Sequence, residues 1–223
     1  MREVPGIPYR FSDSELLLLA LSHRSLGRQN NERLEFLGDS ILNFVVSARL
    51  FELKPDINEG ALSRLRSRVV RGDTLAKMAA QIKLGDSIKL GEGELKSGGF
   101  KRNSILADTF EAVLGAIYLD GGFTSCEKVI RHICDPFIET LPDAEELKDP
   151  KTRLQEWLQG RGLPLPEYTL ENEAGPPHRK QFQVRCASAD AGFSVIGSGR
   201  SRRKAEQDAA KTAFALVGQN TGK

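Results

Sequence analysis

The sequence predicts two domains of different class. An all-α domain occupies residues 1–143, a linker occupies 144–150, and a smaller α+β domain of order α-β-β-β-α occupies 151–219. Three observations lead there. Apolar residues recur at helical spacing through the first part, and no convincing strand alternation appears before residue 165. The segment LPDAEELKDP carries prolines near both ends and a dense run of charge, which marks a linker. After it come three short stretches of strand composition, separated by turn residues and flanked by helical patterns.

The helical part reads in order. Residues 14–21 are an apolar run that Ser12 is placed to cap, with Glu15 three residues on. Residues 31–51 form a long helix that must end before Pro55. Residues 59–71 alternate Leu and Arg at helical spacing, and 74–82 form a short amphipathic helix. The glycines of 85–99 predict a loop with tight turns. Residues 103–119 form a second long apolar helix closed by Gly121 and Gly122, and 125–140 an amphipathic one. In the second part, 151–160 is a helix, 167–172, 181–187 and 193–196 are strands, and an Ala-rich helix over 201–217 closes the chain.

Charged residues make up 28% of the 223 and apolar residues 39%, as in a globular protein. The net charge of +2 hides an asymmetry: −1 up to Asp143, −2 over 144–150 and +5 from Lys151 onward. A basic excess confined to the last third points to a polyanionic partner for that part. Cys126, Cys134 and Cys186 show neither paired spacing nor histidines at zinc spacing, so they read as free thiols in a reducing cytoplasm. The N-terminus lacks a signal-peptide core and no apolar run is long enough to span a bilayer, so no membrane association is expected.

The most informative segment is NERLEFLGDS. It places Glu32, Glu35 and Asp39 at spacings of three and four, which stacks their side chains on one helix face. The helix is otherwise apolar, and no Lys or Arg falls between Arg33 and Arg49. Most helical acids are simply solvated, but a second segment repeats the pattern. NSILADTFEAVLGAIYLD places Asp108 and Glu111 three apart in another apolar run, with no Lys or Arg from Asn103 to Glu127. Uncompensated carboxylates in half-buried settings are costly unless a cation arrives. Two such helices suggest one shared site, and hard oxygen ligands favour Mg²⁺, with Mn²⁺ as a substitute, over Zn²⁺.

Other catalytic schemes find little support. His23, His132 and His178 are scattered and lack nucleophile partners, and GEGELKSGG lacks the GK[ST] ending of a phosphate-binding loop. Lys96, Lys101 and Arg102 stand near that glycine-rich segment, where they could approach phosphate or simply be solvated. In GSGRSRRKAEQDAA, Ser201 can cap the helix that Arg202, Arg203 and Lys204 open, so the dipole and the cations together favour phosphate.

NERLEFLGDSIL followed by GELKSGGFKRNSILADTFEAVLGA resembles the catalytic domain of bacterial ribonuclease III. The α-β-β-β-α part resembles that family's double-stranded RNA-binding domain, so the resemblance covers nearly the whole chain. It implies a metal-dependent endoribonuclease that cuts double-stranded RNA, such as rRNA precursors and other structured transcripts, to 5′-phosphate and 3′-hydroxyl ends. It implies Glu35, Asp39, Asp108 and Glu111 as metal-binding positions, with Asp39 and Glu111 foremost in catalysis. Family equivalents of Glu32 and Glu59 belong to the catalytic valley; here both are equally consistent with ordinary helix acids, and Ser40 and Asn43 stand near the stripe as supporting groups. Gln155, Glu156 and His178 match minor-groove contact positions, although Pro176-Pro177 departs from the usual loop, and Trp157 reads as core.

Cutting both strands of a duplex needs two antiparallel sites, so one acidic constellation per chain implies a homodimer. By resemblance Phe36 is the knob that enters the partner; its alternative is ordinary core. The competing function is a non-catalytic dsRNA-binding regulator, which would be expected to lose one or more acids. A DNA-binding helix-turn-helix protein leaves the carboxylate helices unexplained.

Overall fold

The computed structural model describes residues 2–142, 148–176 and 179–219. The chain divides into two compact units, Met1–Glu146 and Leu147–Lys223. The first is helical and the second is a three-stranded sheet with helices, which is the fold class expected from the sequence.

The first unit contains α1 (Ser14–Ala20), α2 (Glu32–Leu53), α3 (Glu59–Val69), α4 (Gly72–Gln81), α5 (Glu92–Lys96) and α6 (Asn103–Glu139). Asp13, not Ser12, caps α1: its carboxylate accepts the backbone N–H groups of Glu15 and Leu16. The expected loop at 85–99 instead contains α5, flanked by the short 3₁₀ turns Leu84–Ser87 and Gly99–Lys101. Gly91 and Gly98 sit at the ends of these pieces, where they punctuate helices, while Gly85 and Gly93 are taken into the short turns themselves. The two helices expected on either side of Gly121-Gly122 follow one another directly as α6, broken by a kink at Gly122 (φ 75°, ψ 177°). That backbone region suits only glycine among common residues, so the sequence break and the structural break coincide.

α2 and α6 form the central pair. Leu42, Val45, Val46 and Leu50 of α2 and Phe110, Val113, Leu114 and Ile117 of α6 are buried, with Leu17, Leu65 and Met78 around them. Burying each such side chain contributes about 1.5–3 kcal/mol. The other face of α2 is different. Phe36, Phe44 and Phe51 recur every two turns and are 77%, 62% and 72% exposed. The core alternative for Phe36 is therefore ruled out within a single chain.

The second unit contains α7 (Pro150–Gln159), β1 (Glu167–Ala174), β2 (Gln181–Ser188), β3 (Phe193–Gly199) and α8 (Arg202–Gln219). The strands pair antiparallel in the order β1-β2-β3, with a bulge in β1 between Leu170 and Asn172. The core joins Leu154 and Leu158 of α7, Cys186 and Phe193 of the sheet and Ala209, Ala210, Ala213 and Val217 of α8. Gly197 permits the close approach of β3 to α8: a Cβ there would lie 2.0 Å from the Ala209 backbone nitrogen. Trp157 packs against this core with the Arg161 guanidinium 3.9 Å from its ring centroid. All three cysteines are buried free thiols.

Candidate metal centre and nucleic-acid interface

The site begins at the crossing of α2 and α6. A Cβ on Gly38 would lie 1.8 Å from the carbonyl oxygen of Glu111, and one on Gly115 would lie 2.2 Å from that of Leu34. The two backbones touch there, which only glycine permits. Glu35 and Asp39 flank Gly38 on one helix, and Asp108 and Glu111 precede Gly115 on the other, so the crossing brings the two acidic stripes together.

Among the described residues, one oxygen each of Glu35, Asp108 and Glu111 lies within 4.8 Å of the other two. All three side chains are half-buried. Burial pushes the Glu111 carboxyl up to about 8, and the charges of Asp39, Glu35 and Asp108 add to the rise. Burial and the neighbouring acids, Asp108 first, also raise Glu35, with Arg24 opposing. Burial raises Asp108 as well, against His23 and Arg24. Asp39 is outside the group of three. It is exposed, and its carboxylate accepts a 2.7 Å hydrogen bond from Asn43, but its charge acts directly on Glu111. Burial together with the neighbouring acids at Glu35 and Glu111, and burial at Asp108, make a site that favours either protons or a multivalent cation. Oxygen-only donors without sulfur or imidazole fit a hard divalent ion.

The remaining sequence-predicted residues fall in different places. Glu32 is exposed, 3.7 Å from Arg24, and lines the same cleft of about 470 Å³ as Glu35 and Asp108. Glu59 accepts a 2.7 Å hydrogen bond from Ser63 and lines a separate cleft with Phe44, Phe51 and Arg66. Ser40 donates to the Phe36 carbonyl of its own helix, at 3.2 Å. Lys96 lies 3.5 Å from Glu92, Arg102 lies 2.5 Å from Glu94, and Lys101 rests over the Phe100 ring.

Sequence reasoning missed Arg24 and His23. It counted cations along the two acidic helices only, whereas these come from the turn before α2. Gly38 and Gly115 did carry a signal, being glycines inside apolar helical runs.

In the second unit, the Ser201 hydroxyl accepts the backbone N–H of Lys204 at 3.2 Å, so it caps α8 as expected. Arg202 reaches Glu206 at 3.1 Å, while Arg203 and Lys204 are exposed and make no ion pair among the described residues. Gln155 and Glu156 are exposed on α7, with Glu156 paired to Lys148. His178 lies outside the described residues.

Residues 13–136 match the family model described as ribonuclease-III-like, and residues 150–217 match the double-stranded RNA binding motif. The chain belongs to the ribonuclease III family. It is 54% identical to Ribonuclease 3 of Nitrosococcus oceani, over 94% of this chain and 91% of that one. It is likewise 54% identical to Ribonuclease 3 of Thiobacillus denitrificans, over 94% and 93%. The nuclease domain of the Campylobacter jejuni ribonuclease III superposes with a TM-score of 0.57 at 40% identity, covering 58% of this chain and 92% of that one. Family membership makes the first unit an endoribonuclease domain and the second a double-stranded RNA-binding domain. The acidic crossing lies within the matched nuclease domain.

Proposed function

We propose that the chain hydrolyses phosphodiester bonds of double-stranded RNA with Mg²⁺, or Mn²⁺ in its place, leaving 5′-phosphate and 3′-hydroxyl ends. The observation that carries this reading is the convergence of Glu35, Asp108 and Glu111 oxygens from two helices within 4.8 Å of one another. A bound divalent cation supplies an activated water and neutralises charge on the phosphoryl and leaving oxygens.

The chain's own residues prepare that chemistry. Glu35, Asp108 and Glu111 would hold the ion, with Asp39 at the exposed edge, and Glu111, whose carboxyl is pushed up to about 8, would have to give up its proton to do so. The Asn43 hydrogen bond to Asp39 fixes that carboxylate's orientation. The exposed Arg203 and Lys204 at the start of α8 hold duplex phosphates, and Gln155 and Glu156 face the minor groove. His178 belongs to the same proposed interface.

The working form is a homodimer whose two sites cut opposite strands. The exposed Phe36, Phe44 and Phe51 stripe supports that assembly, since a solvated row of three phenylalanines is unfavourable in a monomer. Glu59, beside Phe44 and Phe51, lies along the same proposed interface. No described helix is long and apolar enough to cross a membrane, and we place the enzyme in the cytoplasm, acting on rRNA precursors and structured transcripts.

The test incubates purified protein with long duplex RNA in Mg²⁺ and in EDTA. Cleavage in Mg²⁺ alone, with 5′-phosphate ends, is expected. Equal cleavage in EDTA would remove the metal from the reaction, and tight binding without cleavage in Mg²⁺ would favour a binding regulator.

A further inference from the structure

The cleft beside the carboxylates has cationic lining that holding a metal does not require. His23, Arg24 and Ser25 share it with Glu32, Glu35 and Asp108. Arg102 lines it as well but is committed to Glu94 at 2.5 Å. Arg24 is held far more loosely: its contact with Glu32 is 3.7 Å long and both side chains are more than half exposed.

The turn that carries these residues is fastened in place. The His23 backbone N–H donates to the Lys89 carbonyl at 3.0 Å, and Lys89 returns a bond to Leu21 at 2.8 Å. The Gly91 N–H donates to the Ser25 hydroxyl at 2.8 Å. A Cβ on Gly91 would lie 2.6 Å from the Ser25 carbonyl oxygen, so the two segments are in close backbone contact. The His23 ring is oriented too. Its Nδ1 lies 3.2 Å from the Ser25 backbone N–H, which can only donate. Nδ1 is therefore the acceptor, and the ring proton of the neutral imidazole sits on Nε2.

A polyanion approaching this cleft meets more negative charge than one divalent ion offsets. The phosphates beside the scissile one carry full charges and need donors of their own. A guanidinium free to turn on a rigidly mounted backbone and an imidazole N–H meet that need, and guanidinium geometry matches phosphate oxygens two at a time.

We propose that His23 and Arg24 form a phosphate subsite. It holds an RNA backbone phosphate adjacent to the one at the carboxylate cluster, and so sets the position of the scissile bond. The proposal rests on the nuclease reading above.

The test uses the full chain on duplex RNA in Mg²⁺, comparing wild type with Arg24→Ala, Arg24→Lys and His23→Ala. The salt dependence of RNA affinity and the metal concentration for half-maximal rate are measured alongside kcat/KM. Arg24→Ala is expected to lower kcat/KM about 10- to 100-fold, the loss typical of a charged hydrogen bond to substrate. It should also flatten the log–log salt slope by about one unit. Arg24→Lys should restore the slope but only part of the rate, and His23→Ala should lower kcat/KM with the slope unchanged. A wild-type slope in Arg24→Ala, with only the metal midpoint moved to lower concentration, would make Arg24 a charge balance for the acids and overturn the subsite. Absence of cleavage by the wild type would instead overturn the nuclease reading itself.

Discussion

Replacing Glu111 with Gln should make the metal-free protein more stable and the enzyme inactive. Burial and three neighbouring acids push the Glu111 carboxyl from its ordinary 4.5 to about 8. Between those values the folded protein keeps a proton that the unfolded chain has lost. The stability of the metal-free protein therefore falls as pH rises from 4.5, and the penalty is complete near pH 8. At about 1.4 kcal/mol per pKa unit the ceiling is roughly 5 kcal/mol. Partial solvent exposure of the carboxyl reduces that to about 2 kcal/mol. Glu111→Gln removes the charge while keeping the shape. Thermal unfolding in EDTA at pH 8 should rise by roughly 4–8 °C for the helical unit, and the gain should vanish near pH 4.5. Adding Mg²⁺ should stabilise the wild type and leave the variant unchanged, because binding to the folded state is what shifts the transition. The variant should bind duplex RNA and not cut it. A variant less stable than wild type at pH 8 in EDTA would refute the account of Glu111 as a desolvated, repelled carboxylate. Normal turnover in Mg²⁺ would remove it from the metal site.

Three further substitutions probe other links in the argument. Gly38→Ala puts a methyl group 1.8 Å from the Glu111 carbonyl oxygen, so it should cost about 3 kcal/mol in denaturant unfolding and abolish cleavage in whatever folds; wild-type behaviour would mean the helices do not cross there. Arg203→Ala should weaken duplex binding for all sequences alike and lower the salt slope by about one unit; an unchanged slope would take the start of α8 off the phosphate backbone. Phe36→Ala should shift the sedimentation profile toward monomer with little change in the stability of the single chain, since the ring is 77% exposed; a profile identical to wild type would take Phe36 out of the interface.

Much of this was legible in the chain, and the division between what was and what was not follows the range of the interactions. Spacings of three and four are local, so the shared face of Glu32, Glu35 and Asp39 needed no knowledge of the fold. The break at Gly121-Gly122 and the Ser201 cap are local for the same reason. The cap of α1 moved by one residue, from Ser12 to Asp13, because both side chains are suitable and only the register of the chain entering the helix decides. The short helix at Glu92–Lys96 was hidden by Gly91 at its start and Gly93 within it. The positive side of the cleft was invisible because Arg24 and His23 reach the acids across the fold and not along a helix.

The sharpest limit concerns Asp39 and Glu111, which sequence pattern treats as equivalent members of two acidic stripes. Asp39 is exposed and bonded to Asn43, whereas Glu111 is half-buried and holds its proton to about pH 8. Periodicity tells which face of a helix an acid occupies, but the depth of that face depends on what packs around it. α6 runs through the core, with Phe110, Ala112, Val113 and Leu114 all fully buried beside Glu111, while the α2 face that carries Asp39 is open to solvent. Among these carboxylates Glu111 is thus one that must lose a proton before an ion enters. Ion binding at pH 7 should accordingly release close to one proton, chiefly from Glu111, and the apparent affinity should climb with pH until about 8 and then level off. Calorimetric titration of Mg²⁺ in buffers of different ionisation enthalpy measures that proton directly, and a proton count near zero at pH 7 would mean that the depth of α6 does not distinguish the two acids.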